Sequence, residues 1–142
     1  MGLVRENSLS VLDLQVVQVV EWNHTVRGVM IMFEGAIIKE TLTDELFLDF
    51  LTIDTVEIWK TSDTIKYWTM VFFHSDAKDL PEQLSRTIRE GWFADMKKED
   101  MKYIIVKDKV LTYQIGNQEE KEQVLDYMRS IGIPEEQFGW SE

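Results

Sequence analysis

The residues of this chain whose types and spacing bear on chemistry are a run of carboxylates, two histidines and no cysteine at all. Glu40, Asp44, Glu45, Asp49, Asp54 and Glu57 follow one another with no Lys or Arg between them. Paired carboxylates do acid–base work when burial or a like charge raises the pKa of one member. The candidates for such a pair are Asp44, Glu45, Asp49, Asp54 and Glu57. The run lacks the Asp-x-Asp-x-Asp-Gly order of a calcium loop, and solvated acids are its plainest reading. Between the acids sit Leu46, Phe47, Leu48, Phe50, Leu51 and Ile53. A negative field interleaved with aromatic area is what a surface needs to meet a basic protein.

His74 with Asp76 and Asp79 has a spacing that a metal could use, but solvated residues beside a helix cap explain the trio better. With His24 in an unrelated setting, no nucleophile–base–acid order can be built from two histidines, and no Gly-x-Ser-x-Gly elbow is present. The seven glycines are too scattered for a phosphate-binding loop. The sequence therefore offers no catalytic residue, no metal ligand set and no cofactor site, and it points away from an enzyme.

The chain has 26 Asp and Glu against 15 Lys and Arg, a net charge of −11. Such a surface repels nucleic acid and anionic membranes, so neither is an expected partner. Lys97, Lys98, Lys102, Lys107 and Lys109 are nearly neutralised by Asp95, Glu99, Asp100 and Asp108. Charged hairpins of this kind blunt a sheet edge. They also offer a surface complementary to the acidic run of a second copy, so a homodimer is one expectation. The absence of Cys suits a reducing compartment. The N-terminus lacks an apolar signal region, and the longest apolar run, residues 29–33, falls far short of the ~20 residues of a membrane span. These features make a cytoplasmic protein the expectation.

The elements that must position these residues read as α+β, and 142 residues suit a single domain. Strands are expected at 11–22, where every even position but Gln18 is apolar and a helix is the alternative, and at 26–33, 36–42, 55–60, 64–73, 92–96, 102–106 and 110–115. Asn23-His24-Thr25 and Glu34-Gly35 read as turns. Thr43-Asp44-Glu45 opens a short helix over 43–52. Asp79 as cap, Pro81 in the first turn and Glu82 open a helix over 79–90, which Gly91 ends. Asn117 with Glu120 opens another over 118–131, ended by Gly132 and Pro134. Residues 27–53 and 102–131 share an order of strand, turn, strand and helix, a weak internal echo with a cleft expected between the two parts. Phe138 and Trp140 either fold back on the core or serve as anchors for a partner.

The reading that follows is a non-catalytic acidic module, an adaptor, inhibitor or immunity-like protein, that binds a basic protein partner. Its contact residues would be Asp44, Glu45, Asp49, Asp54, Glu57, Phe138 and Trp140. The rival is a small-ligand-binding or enzymatic α+β domain whose pocket is lined by Trp and Met, recognisable by a convergent polar set inside an apolar cavity. A third reading is a nucleic-acid mimic, whose carboxylates copy phosphates.

Overall fold

Alternate residues of a strand point to opposite faces of its sheet, and here the burial of each face decides where the rest of the chain packs. The computed structural model describes residues 3–6, as backbone, together with 31–62 and 66–142. Its strands are β1 (Leu3–Glu6), β2 (Phe33–Ile38), β3 (Thr52–Lys60), β4 (Tyr67–Ser75), β5 (Ala94–Lys98), β6 (Met101–Val106) and β7 (Lys109–Gln114). They form one sheet in the order β1-β3-β4-β2-β5-β6-β7, and every neighbouring pair is antiparallel. Two α-helices, α1 (Leu80–Thr87) and α2 (Gln118–Ser130), and three short 3-10 turns complete the described α+β fold. None of the described helices is long and apolar enough to cross a membrane.

The sheet carries two cores on opposite faces. Phe33 and Ile37 of β2, Val71 and Phe73 of β4, Met96 of β5 and Ile105 of β6 bury against Leu80, Leu84 and Ile88 at α1. Ile104 and Val106, the neighbours of Ile105, point the other way and meet Tyr113, Val124 and Met128 under α2. The α1 face is therefore covered at mid-sheet, and the α2 face is covered at the β6–β7 end. Over β3 and β4 the α2 face is only half-buried: Trp59, Trp68, Met70, Phe72 and His74 all remain partly exposed.

Helix α2 forms as its sequence dictates. Asn117 accepts from the Glu120 backbone N–H at 3.1 Å, and Gly132, at φ +88°, ends the helix. Glu120 does not close a reciprocal box but accepts instead from the Gln114 N–H at 2.8 Å, joining the helix to β7. Helix α1 is shorter than expected, because Ile88 leaves it to form a β-bridge with Leu42. Asp79 stands at the cap position, but its carboxylate takes the Gln83 side-chain amide at 2.9 Å.

Three expectations need correction. The strand expected at 36–42 stops at Ile38, where Lys39–Thr41 forms a 3-10 turn. Glu34-Gly35 is not a turn but the middle of β2, paired with β4 on one side and β5 on the other. A Cβ at residue 35 would lie 2.6 Å from the Asp95 carbonyl oxygen and 2.9 Å from Met96 Cβ. The glycine thus permits a close strand approach, not a reversal. The turn on which the first part of the internal echo was built is accordingly absent. The helix expected at 43–52 is a six-residue 3-10 turn, Glu45–Phe50, because Thr52 already belongs to β3. The expected strand at 11–22 and turn at Asn23-His24-Thr25 lie outside the described residues.

Candidate functional site

The fold disperses the acidic run. Glu40 is consumed by Thr69, whose N–H and hydroxyl donate to its two oxygens at 2.7 and 2.8 Å. Glu57 is buried and accepts the Trp59 indole N–H at 2.9 Å. Asp54 turns to His74. Only Asp44, Glu45 and Asp49 remain together on the surface, around the Glu45–Phe50 turn. There Asp44 accepts the Leu46 N–H at 3.0 Å, and Glu45 lies 3.2 Å from Lys39. In a 3-10 turn, residues i and i+3 eclipse, so Glu45 and Asp49 are rotated apart and the repulsion of an α-helical i,i+4 pair is relieved. Phe47 goes inward, while Leu46 is 66% and Phe50 44% exposed.

A second constellation lies in a groove across the α2 face. Its polar end is a cavity of about 350 Å³ bordered by Glu34, Asp54, Phe72, Lys97, Lys102 and Glu142. His74 lies within β4, not beyond it, and its Nδ1 sits 2.8 and 3.0 Å from the two Asp54 oxygens. Its Nε2 is buried without a hydrogen-bond partner. Lys97 lies 3.4 Å from Glu34 and donates to the Glu142 carbonyl at 3.2 Å. Lys102, 3% exposed, reaches Asp95 and the Ser141 carbonyl, each at 2.6 Å. Lys97 and Lys102 each face an opposite charge and a carbonyl, so neither is left over at this end of the groove, where the unmatched polar atom is the His74 Nε2. Neither Asp76 nor Asp79 joins His74, and among the described residues no three His, Asp or Glu are grouped to hold a metal.

The apolar end of the groove, separated from the polar end by Ala36, is a cavity of about 420 Å³. Trp59, Trp68, Met70, Trp92, Phe93 and Asp95 border it. The rings of Trp68 and Trp92 meet at 78° with centroids 5.5 Å apart. The Trp68 Nε1–H is buried and has no acceptor. The sequence named a Trp- and Met-lined pocket as a rival reading without numbering its residues. One local signal was available: β4 is apolar at both odd and even positions, which a sheet with one solvated face does not require.

The tail closes the side of the groove nearest α2. Phe138 and Trp140 are half-buried against the α2 core, and Trp140 meets Phe93 at 5.6 Å between centroids. Of the two alternatives for these residues, the structure has them folded back. The Trp140 indole donates to the Tyr113 hydroxyl at 2.9 Å, and that hydroxyl donates to the Glu142 carboxylate. Burial, and then the bond to Glu142, hold the Tyr113 phenol well above its ordinary range. The same bond holds the Glu142 carboxyl below its own. Arg129, bound by Glu135 and also by Glu122 and Asp126, clamps the end of α2 to the tail.

Comparison of the chain with protein-family models, with curated proteins and with solved structures found no match.

Proposed function

We propose that the protein is a non-catalytic, cytoplasmic binding module that engages a basic protein segment through the Glu45–Phe50 turn. The observation that supports this reading is the pairing of two exposed apolar side chains, Leu46 and Phe50, with three exposed acids, Asp44, Glu45 and Asp49. The acids set the long-range field that governs encounter, on a chain already at −11. The apolar pair supplies area that loses water on contact and so governs dissociation.

The test separates these roles. The probe is a fluorescent peptide of alternating Lys and Leu, mixed by stopped flow at two ionic strengths. Asp44→Asn keeps the cap oxygen, so Asp44→Asn/Glu45→Lys/Asp49→Lys removes the field without unwinding the turn. That variant is expected to associate more slowly and to lose its salt dependence. Leu46→Ser/Phe50→Ser is expected to associate normally and dissociate faster. If the charge variant keeps both the rate and the salt slope of the parent, the acids are ordinary solvated surface and this reading falls.

A further inference from the structure

We propose that the apolar end of the groove is a binding site for an uncharged planar heteroaromatic ring that carries a hydrogen-bond acceptor. This site lies on the opposite face of the sheet from the α1 core, and it does not depend on the acidic turn.

Four observations fix the ligand class. The cavity, about 420 Å³, falls in the range of ligand pockets, ~300–1,000 Å³. Its Trp68 and Trp92 rings stand at 78° to one another, which gives a flat ring one face to stack on and one edge to meet. The walls are also not a filled core: Val71 and Phe73 on the other face of β4 are 2% exposed, whereas Trp68 and Met70 remain partly open.

The third observation is the orphaned Trp68 Nε1–H. An indole nitrogen can only donate, and a buried donor without an acceptor is a standing energetic penalty that native structures rarely keep. That N–H is closed to water as it stands, so a ring nitrogen or carbonyl on the ligand removes the penalty by drawing the Trp68 indole round to meet it, and a hydrocarbon of the same shape does not. The fourth is charge. Asp95 is the one ionisable residue among the described residues of the lining, and its carboxylate is held 2.6 Å from Lys102. Among the described residues of the lining, no cation is there to receive an anionic ligand, and no free carboxylate to receive a cationic one.

The probes are isoquinoline and naphthalene, which match in size and shape and differ in one ring nitrogen. Each is titrated into ¹⁵N-labelled full-length protein, and the indole N–H signals are followed by NMR. Trp68→Phe identifies the Trp68 signal and removes the donor while keeping an aromatic wall. Isoquinoline is expected to move the Trp68 signal downfield and to bind about tenfold more tightly than naphthalene. In Trp68→Phe the two probes should bind equally. The proposal is overturned if the wild type binds both alike, if isoquinoline binds without moving the Trp68 signal, or if neither binds at about 1 mM. The wild-type shift decides the matter even if Trp68→Phe fails to fold.

Discussion

Asp54 and His74, twenty residues apart, are brought together by an irregularity in β3: the register against β4 shifts between Ile53 and Thr55, and the residue between them turns its carboxylate onto Nδ1 of His74. A neutral imidazole has one donor nitrogen and one acceptor nitrogen. Facing a carboxylate, Nδ1 must be the donor, which leaves the enclosed Nε2 as a bare acceptor. Long-range ¹H–¹⁵N spectra at about pH 9, where an ordinary imidazole is neutral, should show the proton on Nδ1. Asp54→Ala should release that preference. A proton on Nε2 in the wild type would contradict the bond.

Gly35→Ala tests the strand approach at the centre of the sheet. The new Cβ collides with the Asp95 carbonyl, which is backbone and cannot swing aside. Thermal or urea unfolding should show a loss of about 1–3 kcal/mol, the range of an overpacked core. An unchanged stability would mean that β2 and β5 separate freely.

Asp95→Ala strands the Lys102 ammonium, which is 3% exposed and keeps only a carbonyl acceptor. Breaking a buried pair from one side costs about 3–5 kcal/mol, and Asp95 is itself partly open, so about 3 is expected. Asp95→Ala/Lys102→Met should recover most of it. A double variant no more stable than the single would show that Lys102 contributes through packing of its stem alone.

The hydrogen bonds at Tyr113 make stability depend on pH from both ends. The phenol titrates higher folded than unfolded, so its contribution is complete below about pH 10 and is lost as pH rises beyond that. The Glu142 carboxyl titrates lower folded than unfolded, so its contribution is present above about pH 4.3 and is lost as pH falls through the folded value. Tyr113→Phe removes the bonds to Glu142 and Trp140, and should cost about 1–2 kcal/mol at neutral pH. The gap in melting temperature between wild type and variant should narrow at both extremes, and in acid the part due to the Trp140 bond remains. A gap constant across pH would place the effect in packing.

What could be read from the residues was what local chemistry encodes. Asn117, Glu120 and Gly132 mark both ends of α2, and Asp44 marks the start of a helical turn. Gly35 was misread because a glycine that opens a turn and one that admits a neighbouring strand look alike without the neighbour. Glu40 and Glu57 were grouped with the exposed acids because nothing near them in sequence announces Thr69, or the burial of Glu57 on a face of β3 that is elsewhere half open. The aromatic cavity was foreseen only as a composition. Trp59, Trp68 and Trp92 come from two strands and the approach to a third, and their meeting is set by antiparallel register, a long-range property that no window of residues contains.

Strand β6 gives Ile105 to the core under α1 and Ile104 and Val106 to the core under α2, all at most 4% exposed. The two cores consequently share one backbone. Opening either withdraws a wall from the other, so the two are expected to melt together. The amides of β6 should therefore exchange with solvent only through global unfolding, at the slowest rate in the molecule, and the two faces of the sheet should behave as one cooperative unit.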